Sequence, residues 1–219
     1  MKTLVLAVLL SGSLAAADVP PLHATVGLSS QLFSARGYDL LDGDDVLLSF
    51  RLGAGTSFML RHFAIDVEAA FSTGGTEALA HAQISSSLAL LGFEVSGTAR
   101  WLLLSWLQPY VRLGAGADWA TLTLFNTTRL TQTVGNVAGH AGLGVQLTAR
   151  LTKPEQRGVF LVADLGAGGV LRPAYDFDAM SPAPIVGPQA DPIGGRGAVN
   201  VGALPLSGIT IRANVGVRF

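Results

Sequence analysis

Eleven charged residues of this chain fall at alternate positions of apolar, strand-like segments: Arg51, Asp66, Glu68, Glu94, Arg100, Arg112, Asp118, Arg150, Asp164, Arg212 and Arg218. Placed on one side of a sheet, guanidinium and carboxylate groups have two chemical uses. They can neutralise one another in a confined space, as a network that fills and fastens a barrel. They can also line a narrow, gated polar path for small solutes.

Other candidate chemistries are thinner. Asp39, Asp42, Asp44 and Asp45 cluster in one stretch and could meet a divalent cation. The ordered D-x-D-x-D-G spacing of a calcium loop is missing, so a solvated acidic loop is the simpler reading. The chain has no cysteine, which excludes a disulfide scaffold and a thiolate metal site. No metal and no cofactor are expected. Arg51-Leu-Gly-Ala-Gly55 recurs as Arg112-Leu-Gly-Ala-Gly116, and more loosely as His140-Ala-Gly-Leu-Gly144 and Asp164-Leu-Gly-Ala-Gly168. A phosphate loop would need a strand-to-helix turn and a following Lys, and neither is present. The formal net charge is -1 at pH 7, so no basic surface for nucleic acid is expected.

The elements that must position the charges are strands. Apolar and polar residues alternate along eight segments, about 22–33, 46–59, 63–72, 84–103, 109–125, 137–151, 158–171 and 206–219. The last is the cleanest: Ile209, Ile211, Ala213, Val215, Val217 and Phe219 oppose Thr210, Arg212, Asn214, Gly216 and Arg218, a strict period of two. Connections alternate in length. Those near 60–62, 105–108 and 152–157 are short, whereas 34–45, 73–83, 126–136 and 172–205 are longer. Short turns at one end and long loops at the other are the pattern of an outer-membrane barrel.

Period two sorts each strand into an aliphatic face and a face bearing every charge. A soluble barrel would turn the aliphatic face inward, and a membrane barrel would turn it outward. The glycines decide between them, because they share the charged face. On a solvated exterior glycine only weakens a strand; in a narrow lumen it makes room for a long Arg crossing the barrel. Val111, Leu113, Leu143, Val145, Leu161, Ala163, Ala213 and Val215 are therefore expected to face lipid. Phe58, Phe63, Trp101, Trp106 and Phe219 lie near the short turns, and Phe50, Phe71, Trp119 and Phe125 lie toward the long loops, as two interfacial girdles would.

Composition agrees. Hydrophobic residues make up 49% and charged residues 13% of the chain, yet no segment after the amino terminus is long and apolar enough to span as a helix. At the amino terminus, Lys2, the apolar run 4–10 and Ala15-Ala16-Ala17 form a secretory signal with an A-x-A cleavage site. Residues 1–17 are expected to be removed, leaving 18–219 as one barrel domain. The fold expected is all-β: a closed, antiparallel, up-and-down transmembrane β-barrel of eight strands.

The signal, the alternating strands, the run from Pro109-Tyr110 through Arg112-Leu-Gly-Ala-Gly116 to Ala117, and the terminal Phe219 resemble the small eight-stranded outer-membrane barrels of the OmpA-like and OmpW-like group. The resemblance covers essentially the whole chain after the signal. It implies residence in the bacterial outer membrane among lipid and lipopolysaccharide, and delivery by periplasmic chaperones and the β-barrel assembly machinery. Phe219 would serve as the assembly signal. The barrel would be a monomer. The tethering role of proteins that carry an added peptidoglycan-binding domain does not transfer. Some barrels of this size are lipid A-modifying enzymes that use His with Ser and a carboxylate. His23, His62, His81 and His140 have no evident partners at matching depth, so no enzyme is expected. What remains is a structural or surface-interaction barrel with a side-chain-filled polar lumen or, as the alternative, a narrow pore for small solutes. The loop 172–205, rich in Pro and Gly, is the expected place for recognition, or for a lid.

Overall fold

The computed structural model describes residues 21–33, 46–80, 84–125, 129–152, 158–180 and 201–219, with the backbone alone at 78–80 and 84. The expected signal segment 1–17, the acidic cluster at 39–45, His81 and the stretch 181–200 lie outside the described residues. The strands are β1 (Leu22–Phe33), β2 (Val46–Met59), β3 (Phe63–Ala80), β4 (Ile84–Trp101), β5 (Leu107–Phe125), β6 (Arg129–Arg150), β7 (Phe160–Leu171), β8 (Tyr175–Phe177), β9 (Gly202–Leu204) and β10 (Gly208–Arg218). Eight of them close into a barrel in the order β1-β10-β7-β6-β5-β4-β3-β2, and β8 and β9 pair separately. Every pairing is antiparallel. Closure removes both edges of the barrel sheet. At the seam Phe219 and Leu22 exchange both backbone hydrogen bonds, each at 2.9 Å.

Two expected loops are strand instead. β3 runs on to Ala80, and β6 starts at Arg129. Thr73-Gly-Gly-Thr-Glu77 and the Thr-rich start of β6 lack an aliphatic row, which made them read as loop. Thr nevertheless suits an extended, solvent-facing backbone. The hydroxyls of Thr121 and Thr133 stand 2.9 Å apart and those of Thr123 and Thr131 3.2 Å apart across the β5–β6 pair.

The long strands change polarity partway along. Between the short turns and Trp119, the outward row of β5 is Val111, Leu113, Ala115 and Ala117, and the inward row carries Tyr110, Arg112 and Asp118. Beyond Trp119 the outward residues are Thr121 and Thr123, while Ala120 and Leu122 are fully buried inside. β6 mirrors this: Thr131 and Thr133 point out and Leu130 and Val134 point in, then Leu143 and Val145 point out and Gln146 points in. In β4, Leu88 and Leu90 are buried, whereas Leu91 and Phe93 are exposed. The register aligns the change: Phe50 stands opposite Thr73, Thr73 opposite Leu91, and Leu91 opposite Trp119. On the turn side of this row the exterior is apolar and the interior polar. On the loop side the assignment is reversed.

Part of the long final connection folds back over the loop-side interior. Tyr175 and Phe177 of β8, Met180, Leu204 of β9 and Leu206 pack with Phe33, Leu47, Leu88, Leu90, Ala120 and Leu122 in one apolar cluster. Gly202 opens β9 with φ of 71°, a left-handed conformation that a Cβ would strain. The described parts of 172–205 therefore form a packed cap over the loop-side interior. The physical reason is the row of inward aliphatic residues, which needs an apolar partner to leave water.

Candidate functional site

On the turn side of the polarity change and at its level, three groups of charged residues from different strands pair inside the barrel. In the central group Glu68 of β3 takes hydrogen bonds from the Arg51 guanidinium of β2 at 2.6 Å and from Arg112 of β5 at 3.1 Å. The Thr25 hydroxyl donates to its other oxygen at 3.1 Å, and His23 Nε2 stands 3.5 Å away. Arg112 also donates to Glu94 of β4 at 3.1 Å, and Arg51 lies 3.8 Å from Glu94. Sequence neighbours do not explain these contacts. Across the β2–β3 pair Arg51 faces Ser72, and its long side chain runs along the interior to reach Glu68.

Nearer the turns, Asp66 of β3 receives two bonds from Arg100 of β4, at 2.5 and 2.8 Å. This is a bidentate fork, the strongest common geometry for such a pair. Arg100 is fully buried and also donates to the Gln108 side chain. Arg218 lies 3.6 Å from Asp66 and donates to Gln146 at 3.2 Å. The Asn214 amide donates to Asp164 at 2.8 Å.

Toward the loops, Arg172 reaches back into the barrel from just past β7. It donates to Asp118 at 2.5 Å, to the Gln31 carbonyl oxygen at 2.9 Å and to the backbone carbonyl of Leu206 at 2.9 Å. It thus fastens the cap to the charged interior at the level where polarity changes. Above it the Tyr175 hydroxyl is buried without a hydrogen-bond partner. Burial pushes that phenol up to about 12, with Asp118 adding to the rise and Arg172 opposing it.

Of the eleven charges singled out from sequence, Arg51, Asp66, Glu68, Arg100, Arg112, Asp118, Arg212 and Arg218 are buried inside the barrel, and Glu94 and Asp164 are partly buried there. Arg150 differs. It is exposed at the turn end of β6, its guanidinium 5.9 Å from the centre of the Phe160 ring. Arg212 differs in another way. It is buried, but it makes no ion pair with any described carboxylate, and its Nε has no hydrogen-bond partner. The expected carboxylate partner for Arg212 is therefore not found among the described residues. Across the β10–β7 pair it faces Gly166, and it lines an interior cavity together with Arg51, Glu94 and His140.

The glycines also serve other residues than expected. A Cβ on Gly144 would stand 2.5 Å from the Tyr110 hydroxyl, and one on Gly166 would collide with it. A Cβ on Gly114 would meet Glu94 at 2.6 Å. Only at Gly142, where a Cβ would lie 3.2 Å from the Arg212 guanidinium, does an arginine claim the space directly. Sequence reasoning missed Tyr110, Gln31 and Arg172. Tyr110 and Gln31 were legible as inward positions of their strands. Arg172 was not, because it follows the last alternating residue, Leu171.

Two small cavities remain inside, on either side of the central ion pairs. One, of about 30 Å³, is lined by Asp66, Arg100, Tyr110, Asp164 and Arg218 among others. The second, of about 60 Å³, is lined by Arg51, Glu94, His140, Arg172 and Arg212 with several hydroxyls. A buried water needs roughly 10–15 Å³ by this measure, so each has room for a few waters. His62 is exposed in the turn between β2 and β3. Among the described residues no group of three or more His, Asp or Glu is placed to hold a metal ion.

No protein-family model matches the chain, and no curated protein matches it. Among solved structures it is similar to Ail, the attachment invasion locus protein of Yersinia pestis, seen in complex with the heparin analogue sucrose octasulfate. That match has 14% identity and a TM-score of 0.49, covering 91% of this chain and 99% of that one. It is similar to neisserial surface protein A, with 14% identity and a TM-score of 0.47, covering 93% of this chain and 98% of that one. It is also similar to the N-terminal β-barrel domain of OprF from Pseudomonas aeruginosa, with 13% identity and a TM-score of 0.37, covering 90% and 97%.

Proposed function

We propose that the protein is an integral outer-membrane barrel with a structural or surface-interaction role and a lumen filled by its own side chains. The observation that carries this reading is the polarity change along β4–β6. A chain that exposes Leu113 at 69%, Leu143 at 66% and Leu165 at 58% while burying arginines inside is arranged for an apolar surrounding on that level. Lipid meets that need, with lipopolysaccharide as the outer partner. Phe63, Trp101 and Trp106 at the turns and Phe50, Phe71, Phe93 and Trp119 at the polarity change are all exposed. They mark the two edges of the belt, as interfacial aromatics do. The loop-side strands, Thr-faced outside and packed inside, suit water on the cell exterior. They would hold the cap as a rigid platform on the surface.

The interior supports a plug better than a path. The central ion pairs separate the two cavities, and the cap packs over the loop-side end. Planar-bilayer recording of purified protein tests this. The filled-lumen reading expects no discrete conductance steps in salt solution at moderate voltage. Reproducible steps that disappear when the protein is omitted would replace it with the narrow-pore reading. The signal at 1–17, cleaved before residue 18, and dependence on periplasmic chaperones and the assembly machinery belong to the same proposal. So do the monomeric state and the absence of catalysis. Cleavage is checked by the amino-terminal mass of protein taken from outer membranes.

A further inference from the structure

The buried charges do not balance evenly along the barrel, and the imbalance sits at one level. Near the turns Arg100 and Arg218 share space with Asp66 and Asp164 around the smaller cavity. Under the cap Arg172 is matched by Asp118 at 2.5 Å. Between them, Arg51 and Arg112 share Glu68 and Glu94 through contacts of 2.6 to 3.8 Å. Arg212 belongs to this middle level, because it lines the larger cavity together with Arg51 and Glu94. Three guanidinium groups there face two carboxylates, and Arg212 is the one without an ion pair among the described residues.

Two donors in this chamber are buried and unused. Arg212 is 8% exposed and its Nε has no partner; Arg51 is 4% exposed and its second terminal nitrogen, Nη1, has none. Both residues line the larger cavity, whose wall also carries hydroxyls of Ser29, Ser49, Ser72 and Thr210 and the His140 ring. Glu94 is the one carboxylate on that wall, and Arg112 already holds it at 3.1 Å. A guanidinium taken out of water without a counter-charge is strongly disfavoured, and it cannot shed its proton as Lys or His would. The chamber has what it needs to supply the missing charge: a wall with more guanidinium groups than carboxylates, two partnerless donors on residues of that wall, and about 60 Å³ of space, room for one small ion with a few waters.

We infer that the middle chamber is a binding site for a small monovalent inorganic anion of the halide class, held between Arg212 and Arg51 as the counter-ion of the unpaired guanidinium. The ion is structural. It completes the charge balance of the lumen and belongs to the folded barrel, so it is independent of whether the protein conducts.

Crystals of the full barrel, purified in detergent and soaked in sodium bromide, test the site. The expected result is an anomalous peak in hydrogen-bonding contact with Arg212 and Arg51. Density there without anomalous signal would mean water alone and would overturn the inference. In solution, bromide is titrated against gluconate at fixed ionic strength while thermal unfolding is followed. A saturable rise in Tm is expected for the wild type and none for Arg212→Gln, with Arg61→Gln in the exposed turn keeping the full rise. A flat wild-type curve, or an unchanged rise in Arg212→Gln, would overturn it. If Arg212→Gln does not fold, the bromide map and the wild-type curve decide the matter.

Discussion

The two halves of strands β4–β6 obey the same alternation with opposite signs. On the turn side, Leu113 and Leu143 point out while Arg112 and Gln146 point in; on the loop side, Thr121 and Thr133 point out while Leu122 and Val134 point in. One backbone, hydrogen-bonded throughout, thus serves two interiors. The difference teaches that a barrel's core is chosen by its surroundings. Where the outside is apolar, nothing is gained by an apolar inside, and paired charges can fill it. Where the outside is water, burial of aliphatic side chains again supplies the driving force. Arg172 joins the two regimes, with its guanidinium on Asp118 and its backbone at the base of the cap.

The comparison predicts different weak points in the two halves. In the charged half, Glu68→Gln removes the charge shared by Arg51 and Arg112 and leaves both buried. Breaking a buried ionic group in this way costs about 3–5 kcal/mol, read as a loss of stability in denaturant unfolding of detergent-refolded protein. An effect below about 1 kcal/mol, the range of exposed pairs, would mean that water reaches these groups freely. In the apolar half, Leu122→Ala opens a cavity under the cap at a cost of about 2–5 kcal/mol. The loss should appear first as faster proteolysis of the segment 172–207, since the cap packs directly on that side chain. Equal protease resistance with lowered global stability would place Leu122 in the barrel wall's own support instead.

The exterior offers a sharper contrast. Leu143→Arg places a charge in the middle of the apolar belt and should cost about 2–4 kcal/mol, whereas Thr133→Arg, five strand pairs further along β6, should cost about 0–1 kcal/mol. Equal costs at the two positions would remove the case for a lipid boundary between them.

Much of this was readable in the sequence. The barrel and its eight strands follow from period-two alternation, the inward position of most charges from the glycines that share their face, and β1 and β2 have the bounds expected. The polarity change did not follow, although its trace is visible. Leu88-Ala-Leu-Leu-Gly-Phe93 is an unbroken apolar run because Leu88 and Leu90 face in and Leu91 and Phe93 face out. A run of that kind breaks alternation and reads as noise unless a change of surroundings is considered. The Thr row that opens β6 looked like loop because it lacks an aliphatic face, whereas Thr121 and Thr123 fell within the expected fifth strand. Arg172 was illegible because a residue outside a strand has no face to be assigned by spacing. Which arginine meets which carboxylate was also illegible, because the pairs span strands and depend on long side chains crossing the interior.

A smaller effect separates the cap from the charged layer below it. The Tyr175 phenol is held up to about 12 by burial, against roughly 10 when exposed. A raised value means that folding favours the protonated form, so this contribution is complete below about pH 10 and is lost as pH climbs toward 12. Alkaline titration should therefore loosen the cap in that window while the barrel persists. Tyr175→Phe should be near neutral at pH 7, because the hydroxyl has no partner to lose. It should abolish the alkaline step in cap proteolysis. A step that survives the substitution would assign the transition to another group.

A small effect on stability is expected at Phe219, and it tests how the barrel is closed. Its backbone pairs with Leu22 at the seam, while its ring is 48% exposed on the turn side. Deleting it removes one end-of-strand residue and its paired bonds but no buried side chain, so the folded barrel should lose little, about 1 kcal/mol or less. The proposed role of this residue is kinetic, as the feature that the assembly machinery reads in the last strand. The deletion variant should then refold in detergent nearly as well as wild type, where no machinery is required, yet accumulate poorly in the outer membrane of cells. Comparing refolding yield with outer-membrane level separates the two roles. Poor refolding together with poor accumulation would make Phe219 a structural part of the seam. Normal levels of the deletion variant in the outer membrane would end the assembly-signal reading.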